Sequence, residues 1–138
     1  MDEGRNGKDL AAATAAAAEP LVSIIVPAFN AERYIGAAIE SVQAQTYKNW
    51  ELVIAVDEGS RDNTRGVIEQ YAARDSRVKL YPHSPRRMAA ARNFAIKHAT
   101  GTYVAFLDAD NLFVPEKLAK QVAFLESHHD VGLCWSDI

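Results

Sequence analysis

The chain has 138 residues, of which 49% are hydrophobic and 24% charged, so it is long enough for one soluble domain with a buried core. Its net charge of −3 lacks the basic footprint of a nucleic-acid-binding protein, so we expect no nucleic-acid partner. Cys134 is the only cysteine, which excludes an intrachain disulfide and is compatible with a cytoplasmic location. No apolar run approaches the ~18 residues of a membrane span.

Residues 1–20 form an Ala-rich segment that ends at Pro20, and we predict a flexible or weakly helical tail there. From residue 21 onward, apolar runs of strand length alternate with stretches of helical periodicity. The predicted strands are Leu21–Val26, Trp50–Val56, Val78–Tyr81, Tyr103–Leu107 and a last one starting within Val131–Trp135. The predicted helices are Glu32–Gln45, a segment from Ser60 or Asp62 to Ala73, Met88–Ala99 and Pro115–Ser127. Residues 21–138 are therefore a predicted single domain.

Two local signals define the first strand and the helix after it. Pro27 has no N–H to donate, so we expect it to end the strand. Asn30 is the predicted N-cap of the helix. Strand and helix then alternate four times, which predicts an α/β fold with a mostly parallel sheet and helices on both faces.

Two carboxylates, Asp108 and Asp110, follow the fourth predicted strand. In an extended chain, residues i and i+2 point to the same side, so both should face the crevice where open α/β sheets bind ligands. Such hard oxygen donors suit Mn²⁺ or Mg²⁺ bound together with substrate phosphates. The alternative is that one of them caps the next helix or makes an Asx-turn.

The second predicted strand also ends in acidic residues, Asp57 and Glu58. Carboxylates at the end of such a strand accept hydrogen bonds from a base or a ribose. A solvated turn before Gly59 is the alternative. Because like charges that converge on one crevice repel each other, the site favours a bound cation or a hydrogen-bonding ligand.

Basic residues follow the third predicted strand, and Arg86, Arg87 and Arg92 lie in or just after its loop. A guanidinium at the start of a helix can bind a diphosphate or a base carbonyl. We expect Arg92 to tie loops together by ion pairing and Arg86 to be solvated. The four histidines do not form a metal-ligand set.

Five segments occur in an order and spacing typical of one enzyme family. They are Val22–Asn30, Gln45–Tyr47, Glu51–Thr64, Ala91–Asn93 and Gly101–Asp110. Together they resemble the donor-binding half of the family 2 glycosyltransferases, over about residues 21–138. The resemblance implies a GT-A, Rossmann-like fold that is truncated before the acceptor-binding part. It also implies inverting transfer of a sugar from a UDP-, GDP- or dTDP-sugar to an unknown glycan or lipid-linked acceptor, with Mn²⁺ or Mg²⁺ as cofactor.

The resemblance implies roles for single residues. Asp110 matches the metal ligand of the family's Asp-x-Asp motif, and Asp108 matches the residue near both the ribose and the metal. The residues that match nucleotide-sugar-binding positions are Pro27, Ala28, Asn30, Asp57, Glu58 and Asp108. We expect a cytoplasmic location, at the inner face of the membrane if further regions supply membrane contacts.

Three positions depart from the family pattern. Glu58 replaces the usual Asp, Arg87 stands where Gly is often seen, and Asn111 replaces a frequent third acid. The longer Glu58 shifts the position of its nucleoside contact, and Arg87 is a candidate contact for the base or phosphate. The family's general base lies on a later segment, and Asp137 matches no catalytic motif. We therefore expect donor binding, with little or no transfer, by these 138 residues.

Other functions use parts of the same pattern. A non-catalytic nucleotide-sugar-binding subunit or sensor would need the same site without a general base. A phosphohydrolase with an aspartyl nucleophile would carry its acidic motif after the first strand, where this chain has Pro27–Asn30. No Gly-x-Gly-x-x-Gly follows that strand, which disfavours dinucleotide oxidoreduction.

Overall fold

The computed structural model describes residues 19–84 and 88–135, over which four strands and four helices alternate. The strands are β1 (Val22–Ala28), β2 (Trp50–Asp57), β3 (Val78–His83) and β4 (Tyr103–Phe106). The helices are α1 (Ile35–Gln43), α2 (Thr64–Arg74), α3 (Met88–Ile96) and α4 (Lys117–Ser127). The predictions for the tail, for Arg86 and Arg87 and for Asp137 concern positions outside these ranges, apart from the last two residues of the tail.

The four strands form one parallel sheet in the order β3-β2-β1-β4. This confirms the predicted α/β fold with a parallel sheet. Because all four strands run the same way, their carboxyl ends meet at one edge. The residues that follow the strands are thereby brought together there.

Alternate residues of the strands supply two apolar layers, one on each face of the sheet. On one face, Ile24 and Leu52 pack with residues of α1, α2 and α4, including Ile39, Ile68 and Leu118. On the other face, the buried residues are Ile25, Val53 and Ala55 of the sheet and Ala95 of α3. The prediction of helices on both faces is confirmed.

Pro27 does not end β1, contrary to the prediction, because the strand continues to Ala28 and Pro27 pairs with Ala55 of β2. β4 pairs with β1 only as far as Ile25, whose carbonyl accepts from Leu107 N–H. Pro27, two residues further, directs its backbone to the same side as Ile25, beyond the end of β4. The N–H that proline lacks would point to where β4 has already ended, so its absence breaks no hydrogen bond between strands.

Asn30 is not the N-cap of α1, which is Tyr34. The backbone N–H groups of Tyr34 and Ile35 both donate to Ala31 O in a turn that precedes the helix. Asn30 has φ +47°, and its side-chain oxygen accepts from Arg61 N–H instead of capping α1. A short polar residue tolerates this left-handed conformation better than most others do.

Val131–Trp135 is not a strand, which corrects the last strand prediction over these described positions. No strand of the described ranges pairs with this segment, and the side chains of Leu133 and Trp135 are 72% and 82% exposed. Its apolar composition matched a strand, but β-propensity is expressed through packing on neighbouring strands. No helix within the described part of the chain combines the length and apolar character needed to cross a membrane.

Candidate functional site

A cavity of about 710 Å³ opens at the carboxyl edge of the sheet. Asp57, from the end of β2, and Asp108 and Asp110, after β4, all line it. The other lining residues are Pro27, Ala28, Phe29, Asn30, Ala31, Tyr34, His83, Ala91 and Ala109. Three carboxylates from segments that are far apart in sequence therefore border one crevice.

The loop after β1 is fixed to the loop before α2 by hydrogen bonds. Asn30 N–H donates to Ser60 Oγ at 3.1 Å, and Arg61 N–H donates to Asn30 Oδ1 at 2.7 Å. Ala31 N–H donates to Oγ1 of the fully buried Thr64 at 2.8 Å. Asn30 thus joins the loop after β1 to the loop before α2, and these hydrogen bonds hold its part of the cavity wall in place.

Asp62 supports the same contact between the two loops. Its carboxylate accepts from the backbone N–H groups of Glu32 and Thr64, each at 3.1 Å, and from the Thr64 hydroxyl. These hydrogen bonds, the one from the Thr64 hydroxyl above all, lower the pKa of Asp62. Asp62 thus accepts hydrogen bonds next to the start of α2, but the N-cap of that helix is Asn63 and not Ser60 or Asp62, where the sequence placed its start.

Asp57 and Glu58 differ in their surroundings. Asp57 is buried, and its Oδ1 accepts from Gly59 N–H at 2.7 Å within a turn at the end of β2. Glu58 is exposed and lies outside the lining of the cavity, and its backbone N–H donates to His83 O at 3.0 Å. Asp57 therefore borders the cavity, whereas Glu58 stands at its rim beside the end of β3.

Asp108 and Asp110 lie in a turn, not in an extended segment as expected. β4 ends at Phe106, and Asn111 N–H donates to Asp108 O at 3.0 Å. Asp108 Oδ1 accepts from Arg92 Nη2 at 2.9 Å, which confirms the predicted ion pairing of Arg92, although the pair joins α3 to this turn and not two loops. Asp110 is exposed. Both carboxylates line the cavity despite the turn.

The donor chemistry at this turn fits a divalent cation that is shared with a ligand. Asp108 and Asp110 offer hard carboxylate oxygens, as Mg²⁺ and Mn²⁺ prefer. Over the described ranges, no group of three or more His, Cys, Asp or Glu side chains is placed to hold a metal. The arrangement therefore fits a cation that completes its coordination with phosphate oxygens and water better than one in an all-protein cage.

Six lining residues were not predicted from the sequence: three alanines, Ala31, Ala91 and Ala109, and three larger residues, Phe29, Tyr34 and His83. Phe29 and Tyr34 are 58% and 51% exposed, which is unusual for large aromatic side chains on the wall of a cavity. His83 is buried at the end of β3, two residues beyond the predicted end of that strand. Extending the strand to His83 would have placed this residue beside Asp57.

A sequence model of the family described as "Glycosyl transferase family 2" matches residues 23–137. A similar relative is the putative glycosyltransferase EpsE of Bacillus subtilis, which is 47% identical over 111 residues. This alignment covers 79% of the chain and 40% of EpsE. The chain thus spans about two fifths of the length of this curated relative.

Solved structures similar to this fold include two with a bound nucleotide or nucleotide-sugar. S. aureus TarS 1–349 in complex with UDP has a TM-score of 0.66 and 30% identity, over 78% of this chain and 32% of that protein. The mannosyltransferase PcManGT from Pyrobaculum calidifontis, in complex with GDP-Man and Mn²⁺, has a TM-score of 0.68 and 30% identity. That match covers 77% of this chain and 32% of PcManGT.

Proposed function

The chain belongs to glycosyl transferase family 2, and on that premise we propose that its cavity binds the nucleotide-diphospho-sugar donor of an inverting sugar transfer. The observation that carries the proposal is the position of Asp57, Asp108 and Asp110 around one cavity at the carboxyl edge of the sheet. The UDP complex of TarS and the GDP-Man complex of PcManGT support this class of ligand.

The strand order gives the bound ligand a direction. Asp108 and Asp110 follow β4, and Asp57 ends β2, two strand positions away and thus about 10 Å across the sheet. We place the diphosphate at the β4 side and the nucleoside towards β2, where Asp57 and Glu58 can accept hydrogen bonds from it. Phe29 offers an exposed aromatic face on the same wall, which suits a planar base.

Asp108 and Asp110 are the residues we propose to hold Mn²⁺ or Mg²⁺. Arg92 occupies one oxygen of Asp108 and thereby fixes the orientation of its carboxylate. A cation bound there would offset the negative charge on the diphosphate leaving group. The carboxylates supply the binding, and the ion pair with Arg92 supplies the orientation.

The transfer itself is a proposal for the whole protein, because the chain covers only part of the length of its relatives. Inverting transfer requires a general base that deprotonates the acceptor hydroxyl. We propose a glycan or lipid-linked acceptor. A binding subunit or sensor would retain metal-dependent nucleotide binding but would neither transfer nor hydrolyse the sugar, so an assay for sugar release from a UDP-sugar separates the two functions.

Isothermal titration calorimetry of UDP, GDP and dTDP, each with and without Mn²⁺, tests the donor site. We expect at least one nucleotide to bind in a Mn²⁺-dependent manner. Asp110→Asn should weaken that binding at least tenfold, which corresponds to about 1.4 kcal/mol. The matched control is Asp130→Asn, an exposed aspartate outside the cavity, which should bind as the wild type does. A nucleotide affinity that does not depend on Mn²⁺, or that is the same in Asp110→Asn as in the wild type, would refute the proposal.

A further inference from the structure

The imidazole of His83 lies on the cavity wall although it is only 4% exposed. His83 ends β3 and pairs in register with Asp57, so the two side chains leave the same face of the sheet. The ring of Phe94 packs against it with a centroid distance of 5.3 Å. The position of the imidazole is therefore fixed by the sheet on one side and by α3 on the other.

Only one of the two ring nitrogens of His83 has a hydrogen-bond partner among the described residues. Nδ1 lies 2.7 Å from the carbonyl oxygen of Ser84. A carbonyl only accepts, so Nδ1 carries a proton, and in the neutral ring Nε2 is then an acceptor. Nε2 is buried and has no hydrogen-bond partner among the described residues. Buried polar atoms are seldom left unpaired, so this nitrogen requires a donor.

We propose, on the basis of the donor-binding function above, that His83 Nε2 accepts a hydrogen bond from the nucleoside part of the bound ligand. An ionised diphosphate offers only acceptors, whereas ribose hydroxyls and the N–H groups of a base are donors. β3 lies three strand positions from β4, about 14 Å across the sheet. This places His83 far from the carboxylates that follow β4 and on the side proposed for the nucleoside. His83 is thus a specificity-determining residue, because its Nε2 accepts a hydrogen bond only from ligands whose nucleoside offers a donor there.

A matched control is available on the same face of the sheet. His98 stacks on Tyr81 with a centroid distance of 4.0 Å, contacts the edge of Phe94, and does not line the cavity. His98→Phe and His83→Phe both replace an imidazole that packs beside α3. Only the second change removes an acceptor from the cavity.

Calorimetry with two probes separates the nucleoside from the diphosphate. With Mn²⁺ present, we expect His83→Phe to bind UDP at least fivefold more weakly than the wild type does and His98→Phe to bind it within twofold. Inorganic pyrophosphate has no nucleoside, so all three proteins should bind it within twofold of one another. His83→Gln, which restores an acceptor oxygen, should recover part of the UDP affinity and serves if the Phe variant fails to fold.

A spectroscopic measurement tests the contact directly. In long-range ¹H–¹⁵N spectra of the wild type, His83 should show a protonated Nδ1 and an unprotonated Nε2. Addition of UDP and diamagnetic Mg²⁺ should move the Nε2 resonance upfield, as acceptance of a hydrogen bond does, whereas pyrophosphate and Mg²⁺ should leave it in place.

The two proposals fail in different ways. If the wild type binds no nucleotide diphosphate with Mn²⁺, the donor site is wrong and the role of His83 falls with it. If the wild type binds UDP and His83→Phe binds it equally well, or loses pyrophosphate to the same extent, only the role of His83 is overturned. If the Nε2 resonance of His83 does not move when UDP is added, the proposed role of His83 is overturned as well.

Discussion

Glu51 is the buried charge that we expect to contribute most to the stability of the sheet. Its side chain is 4% exposed and lies near the amino end of β2, opposite the cavity. Its carboxylate accepts from Ser23 Oγ and Thr100 N–H, each at 2.8 Å, and from Lys79 Nζ at 3.0 Å. These partners belong to β1, to β3 and to the loop before β4, so one carboxylate connects three strands and the loop that leads into the fourth.

Glu51→Gln keeps the shape of this side chain but replaces one acceptor oxygen by a donor. In either amide orientation, the NH₂ group faces Lys79 or the donors of Thr100 and Ser23. A hydrogen bond to a buried charge contributes about 1.5–3 kcal/mol. Lys79 is 41% exposed, so solvent screens its share. With one or two such bonds lost, we expect the free energy of unfolding to fall by about 2–4 kcal/mol.

Urea unfolding of the 138-residue chain, followed by circular dichroism, measures this loss. At an m-value of about 2 kcal/mol/M, the midpoint should fall by about 1–2 M with little change in m. The control is Glu69→Gln, which removes an exposed ion pair with Arg65. Such surface pairs contribute little, so the control should unfold at the wild-type midpoint.

The pH dependence gives the second test. Burial alone would raise the pKa of Glu51, but the hydrogen bonds from Thr100, Ser23 and Lys79 outweigh burial and lower it below its ordinary value of 4.5. A lowered folded-state pKa stabilises the protein above 4.5, and this contribution is lost as the pH falls through the folded value. The gap between wild type and Glu51→Gln should therefore be widest near pH 7 and narrow below pH 4.5. An unchanged midpoint, or a gap that is constant with pH, would refute the reasoning.

Three further variants test other long-range contacts. Gln45→Ala removes a buried amide that accepts from the first turn of α4, so unfolding should become easier by about 2–3 kcal/mol in urea titrations. Thr64→Val leaves Ala31 N–H without its acceptor, so the free energy of unfolding should fall by about 1–3 kcal/mol. The same variant should bind UDP more weakly in calorimetry, and Thr64→Ser, which keeps the hydroxyl, should restore both properties. Glu51→Gln combined with Asp110→Asn should lose stability as the first change does and UDP affinity as the second does, because the two sites lie at opposite edges of the sheet.

The parts of the fold that sequence could predict rest on short-range patterns. The apolar runs around Ile24 and Val53 and the stripe at Ile35, Ile39 and Val42 gave the strand and helix order because their periodicity is read within a few residues. Most predicted boundaries were displaced by one to several residues; for example, α1 begins at Ile35, α4 begins at Lys117 and β3 extends to His83. Strand and helix ends depend on pairing and capping partners elsewhere in the chain.

The contacts that sequence could not predict join residues far apart in the chain. Gln45 illustrates this, because its amide donates to Val114 O at 2.6 Å and accepts from Leu118 N–H at 3.0 Å, across about 70 positions. The polar side chain is fully buried, and no local pattern distinguishes it from a surface glutamine. Arg92 was predictable as a residue that forms an ion pair, whereas its partner, Asp108, was not named. Residue type indicated the interaction, and only the fold supplied the partner.

The carboxylates at the two edges of the sheet differ in how many of their hydrogen bonds are already made within the protein, and this difference explains where the site lies. At the amino edge, the carboxylate of Glu51 is saturated by donors from every neighbouring strand, so it stabilises the fold and has little capacity left for a ligand. At the carboxyl edge, Asp108 accepts from Arg92 through Oδ1 and from Asn111 Nδ2, at 3.5 Å, through Oδ2, and Asp110 is exposed, so acceptor capacity remains there. The loop after β1, which Thr64 fixes, forms part of the wall at this edge. The sheet thus supplies rigidity at one end and leaves acceptors available at the other, which is what a cation needs in order to bind there and to attract phosphate in turn.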